Sequence, residues 1–175
     1  MQPTVVYTIG HSTRSAHAFV ALLEAHAVTC LADVRTVARS RHNPQFNGDA
    51  LAATLAAQGL GYERMPGLGG FRKTSPDSPN GGWRNLSFRG YADYMQTAAF
   101  AGNLDALIAL AHDATVAIMC AEAVPWRCHR SLIADALVVR GIPVQEIVSE
   151  TKTSQHRLTP FARVDGTTIR YPAVG

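Results

Sequence analysis

Short apolar runs alternate with amphipathic segments along most of the chain. The strand candidates are "TVVYTIG", "VTCLADV", "LGYERMP", "ATVAIMCA" and "IPVQEIV". The segments with helical spacing or composition are "SAHAFVALLEAHA", "GDALAATLAAQG", "YADYMQTAAF", "GNLDALIALAHD" and "CHRSLIADALVVRG". Because the two kinds of segment alternate, the sequence predicts an α/β fold. We expect a mostly parallel sheet of about five strands with helices on both faces. The doubly wound type is one of two arrangements that fit this order of elements; the other is the one considered with the resemblances below.

Capping and turn residues mark the ends of several predicted elements. Ser15 is placed to cap the first helix, and Gly59 and Gly141 follow the second and the last. Near the C-terminus, "FARVDGTTIRY" predicts a hairpin with its turn at Asp165-Gly166. We therefore predict one α/β domain over residues 1–150, with residues 151–175 as a tail that carries the hairpin and belongs to the same domain.

Residues 66–90 interrupt this alternation with six glycines and three prolines, a composition that opposes regular structure over most of the segment. Aromatic residues alternate with cationic ones here and just beyond. This pattern suits either a lid held down by its own aromatics or a surface that stacks on nucleotides or a nucleic-acid strand.

Composition and charge narrow the class of protein. Of the 175 residues, 47% are hydrophobic and 17% charged, which is typical of a globular domain. The net charge is +3, and fourteen of the sixteen basic residues are arginine, the side chain best suited to bidentate binding of phosphate or carboxylate. No apolar run approaches the ~20 residues of a membrane span. The N-terminus resembles no targeting segment, so we predict a cytoplasmic protein without a membrane partner.

Reactive side chains follow three of the predicted strands. In open α/β sheets, ligands bind at the carboxyl ends of the strands, so these side chains are the first candidates for a site. Arginines near the strand ends favour a small anionic ligand, and the last one lies at a helix start, where backbone N–H groups also attract anions. The candidates for catalysis are Cys120, Glu122, Cys128 and His11, and those for ligand binding are Arg14, Asp33, Arg35, Arg41, His129 and Arg130.

The stretch "CAEAVPWRCHR" supports more than one chemistry. Cys128 opens a helix between Arg127 and Arg130, which favours a thiolate, whereas Cys120 ends a buried strand. Either thiol could use His11 or His129 as a partner. Two alternatives stay open: inert cysteines at a packed corner, and acidic residues that pair with the arginines in a structural network. The spacing matches neither a common zinc motif nor the C-x5-R phosphatase loop, so we predict no metal site.

Several blocks of the sequence together resemble the domain of unknown function 488 family. They are "YTIGHSTRS", "LADVRTVARSRHNPQF", "GYERMPGLGG", "GGWRNLSFRGYADYM" and "CAEAVPWRCHRSLIADALVVRG". The resemblance adds Gly69, Gly70 and Tyr91 to the expected ligand-binding residues. Ala38 stands where members of the family often have proline. The order of elements is also similar to rhodanese-like domains, in which the corresponding cysteine carries sulfur, but the glycine- and arginine-containing loop of those domains is missing here.

These observations lead to three functional interpretations. The first is an enzyme that acts on an anionic, phosphorylated or nucleotide-like substrate, held by arginines at the strand ends. The second is a nucleic-acid-binding module, favoured by a pI of about 9.0 and by the aromatic and cationic residues of the 66–90 segment. The third is a redox or sulfur-carrying thiol protein. The pattern indicates no particular cofactor and no oligomeric state.

Overall fold

A six-stranded sheet organises the protein, whose computed structural model describes residues 4–173. The strands are β1 (Val6–Gly10), β2 (Cys30–Asp33), β3 (Gly61–Arg64), β4 (Val116–Cys120), β5 (Val144–Ile147) and β6 (Thr153–Gln155). They lie in the order β3-β2-β4-β1-β5-β6. The first five are parallel, as predicted. The short β6 is an unpredicted addition that pairs antiparallel to β5. Residues 1–3, which begin the stretch that resembled no targeting segment, and residues 174–175 of the tail lie outside the described range.

Helices cover both faces of the sheet, which confirms the predicted α/β architecture. The helices are α1 (Ala16–Ala25), α2 (Gly48–Ala57), α3 (Leu86–Tyr94), α4 (Ala98–Asp113) and α5 (Arg130–Val139). Apolar residues of α1 and α2 form one core cluster with the sheet, and those of α3, α4 and α5 form a second cluster. No helix of the described range is long and apolar enough to cross a membrane.

The boundaries predicted for the third and fourth helices were wrong. The helix expected to begin at Tyr91 begins five residues earlier, because the Asn85 side chain accepts hydrogen bonds from two backbone N–H groups of the first turn. Thr97 caps α4 in the same way. Apolar spacing alone does not reveal such caps, whereas the predicted cap at Ser15 is confirmed by its bond from the Ala18 N–H.

Asp93 on α3 anchors the glycine- and proline-rich segment, of which residues 69–85 form neither helix nor strand. Burial acts to raise the pKa of the Asp93 carboxyl, but its hydrogen bonds outweigh this and hold the pKa below its usual value. The donors are Thr74 Oγ1, the Ser75 N–H, Ser78 Oγ and Asn80 Nδ2, at 3.0, 3.0, 2.5 and 2.7 Å.

Asp135 on α5 anchors the C-terminal tail by accepting hydrogen bonds from it. This carboxylate is fully buried and accepts from His156 Nε2 at 2.7 Å, Thr159 Oγ1 at 2.6 Å and Tyr171 Oη at 2.8 Å. Between these contacts lies the predicted hairpin, formed by β7 (Arg163–Asp165) and β8 (Thr168–Arg170). The tail therefore packs on the core of its own chain.

Replacing Asp93 should test the anchoring of the 69–85 segment. We expect Asp93→Asn to lower the free energy of unfolding at pH 7 by about 1–3 kcal/mol, because it weakens charge-assisted hydrogen bonds. A carboxyl whose pKa is depressed in the folded state stabilises the protein above its unfolded pKa and loses that effect as the pH falls through the folded value. The difference between variant and wild type should therefore shrink between pH 5 and pH 2 in urea unfolding.

Asp77→Asn is the matched control, because Asp77 is an exposed carboxylate of the same segment. It should unfold like the wild type at every pH. Equal effects of the two substitutions would contradict the anchoring role of Asp93.

Candidate functional site

The carboxyl ends of three neighbouring strands carry the predicted site residues, but the side chains divide between the two faces of the sheet. β2, β4 and β1 are adjacent, as the convergence of their ends requires. Side chains alternate between faces along a strand. Asp33 and His11 contact Tyr62 and Phe46, which pack with α1 and α2. Cys120 faces α5 instead, through Arg130.

The first group is an ion pair centred on Asp33. Its carboxylate receives Arg35 Nε at 2.9 Å and Nη2 at 2.7 Å, and the Tyr62 hydroxyl at 2.5 Å. Asp33 is fully buried and Arg35 nearly so. Burial and the hydrogen bond to Asp33 raise the pKa of Tyr62 to about 12. This group has the form of the structural network that the sequence left open, and Tyr62 is a member that the sequence did not suggest.

The side chain of His11 lies against this group, on the face of the sheet opposite to the Cys120 side chain. Its ring stacks on Phe46 at 4.4 Å, and Nδ1 lies 2.8 Å from the Ser12 carbonyl oxygen. A carbonyl only accepts, so Nδ1 carries the proton in the neutral ring and Nε2 holds the lone pair. Burial lowers the pKa of His11, which keeps the imidazole neutral at pH 7.

The second group is a pair of sulfur atoms on the α5 face. Cys120 Sγ and Cys128 Sγ are in direct contact, as in a disulfide, and their Cα atoms are 7.1 Å apart. The two residues are 2% and 5% exposed. Residues 121–127, of which five are exposed, connect them. Cys30 is a free thiol that begins β2, at the opposite end of the sheet.

Arg130 joins the sulfur pair to the sheet and is fully buried. Its Nη1 donates to Cys120 Sγ at 2.6 Å and to the Glu122 carbonyl oxygen at 2.8 Å. Its Nη2 donates to Glu146 Oε1 at 2.7 Å, and Nε to Oε2 at 3.3 Å. The Thr8 hydroxyl also donates to Glu146. Sequence reasoning gave Glu146 no role, although a lone carboxylate inside the apolar run "IPVQEIV" is an available signal.

His129 contacts the second sulfur atom of the pair, that of Cys128. Its Nε2 lies 3.1 Å from the Val34 carbonyl oxygen, so Nε2 carries the proton and the lone pair of Nδ1 faces Cys128 Sγ at 3.7 Å. Burial lowers the pKa of His129 to about 4, so the ring is neutral at pH 7. The ring of Tyr91 lies 5.0 Å from that of His129, and a side chain at Gly70 would come within 3.3 Å of Nδ1.

In the described range, the side chains of the remaining predicted residues make no hydrogen bond to either sulfur atom. Arg14 is half-buried and donates to the Gly10 carbonyl at 2.6 Å. Gly69 packs closely on Thr36. The side chains of Arg41 and Glu122 are exposed. Within residues 4–173, no group of three or more histidine, cysteine or acidic side chains could hold a metal ion.

Aromatic residues of the 66–90 segment mostly pack inward. Trp83 contacts Phe88, Phe161 and Tyr171 at ring distances of 4.9–5.5 Å. Phe71 is the exception, with 88% of its surface exposed. The segment therefore has the packing expected of a lid held by its own aromatics, and nucleic-acid binding stays a prediction.

Backbone pairing closes the space between the ends of β1 and β4. The His11 and Ser12 N–H groups donate to the carbonyls of Cys120 and Ala121 at 2.9 and 3.0 Å. A Cβ atom at Gly10 would overlap the Glu122 carbonyl oxygen. The crevice that doubly wound folds often use for ligands is therefore filled here by the chain itself.

Substitution of Gly10 should test this close approach. We expect Gly10→Ala to lower the free energy of unfolding by about 1–3 kcal/mol or more, because the backbone of residues 121–122 must move. Gly102 in α4 has open space around it, so Gly102→Ala should be neutral or stabilise the protein by up to about 1 kcal/mol. Urea unfolding measures both, and a wild-type midpoint for Gly10→Ala would refute the predicted clash.

Comparison with known proteins places the chain in a family without assigning a function. No curated protein and no solved structure matches the chain. A family model described as "Domain of unknown function DUF488" matches residues 15–137, which is more than half of the sequence. The matched range includes both groups described above, apart from Thr8, His11 and Glu146. The chain belongs to the DUF488 family, as its sequence blocks had indicated.

Proposed function

We propose that this protein is a thiol–disulfide redox protein in which Cys120 and Cys128 alternate between dithiol and disulfide. The observation that carries the proposal is the direct contact of the two sulfur atoms, each with its own hydrogen-bond donor. Arg130 Nη1 serves Cys120 at 2.6 Å, and the Arg130 backbone N–H serves Cys128 at 3.5 Å. Donors of this kind stabilise thiolates, which are the reactive form of cysteine.

The contacts of the arginines favour this interpretation over an anion-binding enzyme centred on the strand ends. Arg35 and Arg130, both expected to bind the anion, have their guanidinium groups turned to Asp33 and Glu146. An anion would have to displace a buried carboxylate from either one, which is costly in a low-dielectric interior. Anion binding by these two side chains stays a prediction, as does the role of Arg41.

Cys128 is the better candidate for the attacking thiol. It is the more exposed of the pair and precedes α5, where unpaired backbone N–H groups favour a negative charge. The lone pair of His129 Nδ1 can accept a hydrogen bond from the Cys128 thiol and so orient it, since the ring is neutral at pH 7. Cys120 lies deeper and is suited to resolve the mixed disulfide.

The reaction balances without a further oxidant. Cys128 Sγ attacks one sulfur of a substrate disulfide, forms a mixed disulfide and releases the first substrate thiolate, which takes up the proton from the Cys128 thiol. Cys120 then attacks Cys128 Sγ, forms the intramolecular disulfide and releases the second substrate thiol. The two cysteines lose two electrons and two protons, and the substrate gains both. The structure around the pair must open to admit the substrate, because both cysteines are buried.

The assignment of roles can be tested with an uncharged disulfide. Reduced protein is treated with bis(2-hydroxyethyl) disulfide and denatured in acid to stop the exchange. It is then redissolved in denaturant at alkaline pH with iodoacetamide, which alkylates the remaining thiolates, and analysed by mass spectrometry. We expect wild type to retain one alkylated residue, Cys30, and to carry no adduct. Cys120→Ser should accumulate the mixed disulfide on Cys128, whereas Cys128→Ser should remain largely unmodified.

Cys30→Ser is the matched control and should form the intramolecular disulfide at the wild-type rate, because Cys30 lies at the other end of the sheet. The proposal fails if all three wild-type cysteines are alkylated after treatment. It also fails if the two single variants react at equal rates.

A further inference from the structure

A groove of about 760 Å³ opens beside the sulfur pair, a volume typical of sites for small molecules. Three walls come from residues 123–126, the first half of α5 and the segment that joins β5 to β6. Arg14, which follows β1, closes a fourth side. Neither cysteine of the pair lines the groove.

The groove carries an excess of positive charge. Arg14, Lys152 and Arg157 line it, and none of them lies within salt-bridge distance of a carboxylate in the described part of the chain. Glu146 also lines the groove, but its two oxygens are taken by Arg130 and by Thr8. Three cations without a matching acid favour an anionic ligand.

One wall of the groove is apolar and exposed. Trp126 is 70% exposed and Val148 46% exposed, and Val124 and Pro125 lie between the cysteines on the same side. An indole in this position can pack on the carbon skeleton of a ligand whose charged ends reach the cations. The groove thus combines the two properties needed to hold an organic anion.

The groove and the sulfur pair share structural parts. The chain that forms the apolar wall, residues 123–126, belongs to the segment that connects the two cysteines. Arg130 lines the groove and also donates to Cys120 Sγ. A ligand bound in the groove therefore contacts the connection between the two cysteines.

We propose that the groove binds the anionic part of a low-molecular-weight disulfide, so that the protein selects negatively charged disulfide substrates over neutral and cationic ones. This inference rests on the thiol–disulfide function proposed above. It adds a substrate class, and Lys152 and Arg157 become its specificity-determining residues. The bond changes are those already given: one substrate S–S bond breaks, one Cys120–Cys128 bond forms, and two substrate thiols leave.

Rates with three disulfides of different charge test the proposal. Reduced protein reacts with glutathione disulfide, which is anionic, bis(2-hydroxyethyl) disulfide, which is neutral, and cystamine, which is cationic. The rates are corrected by those of the same disulfides with a small reference thiol. We expect glutathione disulfide to react at least about tenfold faster than the neutral compound at low ionic strength, and the advantage to fall as salt is added.

Charge reversal locates the effect. In the double variant Lys152→Glu, Arg157→Glu the ratio of the rate with glutathione disulfide to the rate with the neutral disulfide should fall to about one or below. Lys73→Glu, Arg84→Glu changes the net charge equally at exposed positions that do not line the groove, so it should keep the preference. Equal loss in both double variants would mean that net charge and not the groove selects the substrate, and would overturn the proposal.

A binding measurement separates this inference from the proposed function. In Cys120→Ser, Cys128→Ser protein no thiol of the pair can react, so quenching of Trp126 fluorescence by glutathione disulfide reports binding alone. Trp126→Phe in the same background is the control, because Trp83 is the other tryptophan of the chain. Quenching without any wild-type reaction refutes the thiol function, and with it the selection of disulfides, and leaves an anion site. Reaction at equal rates with all three disulfides, without quenching, refutes the groove proposal and leaves the thiol function intact.

Discussion

The hydrogen bonds of the buried Arg130 guanidinium hold together the end of the sheet that carries the sulfur pair. A charged group without contact to water is tolerated only if its hydrogen bonds are satisfied, and Arg130 draws its partners from three different parts of the chain. Glu146 comes from β5, Cys120 from β4, and the carbonyls of residues 122 and 123 from the segment between the cysteines. One side chain at the start of α5 therefore fixes the relative positions of two strand ends and a connection. These hydrogen bonds offset the free-energy cost of burying the charge.

Much of the fold follows from the sequence, because it rests on local patterns. Alternating apolar runs and helical segments gave the parallel sheet, both helical layers and the hairpin, since burial of apolar surface selects those periodicities. The boundaries of α3 and α4 did not follow, because they depend on hydrogen bonds from Asn85 and Thr97. The short β6 was not predicted either, because its sequence "TSQ" contains no apolar residue.

The candidate site was predictable in its location but not in its grouping. Sequence reasoning placed His11, Asp33 and Cys120 at neighbouring strand ends, which the strand order bears out. Whether two such side chains meet depends on the face to which each points, and that face changes with every residue along a strand. Asp33 and Cys120 consequently lie on opposite faces of the sheet. The cationic groove was not foreseeable, because Lys152 and Arg157 belong to a tail that the pairing of β6 with β5 and the contacts of Asp135 bring against the domain.

The short separation of Cys120 and Cys128 has a mechanical consequence. A covalent link between residues only 8 apart encloses a small ring, and chain-entropy arguments give small rings a modest effect on global stability, about 2.5 kcal/mol in this case. Gain or loss of such a link leaves the packing and hydrogen bonds of the rest of the sheet nearly unchanged. The freedom that changes is that of the ring itself, which carries the exposed indole of Trp126. A change between dithiol and disulfide would thus change the mobility of one exposed aromatic side chain, Trp126.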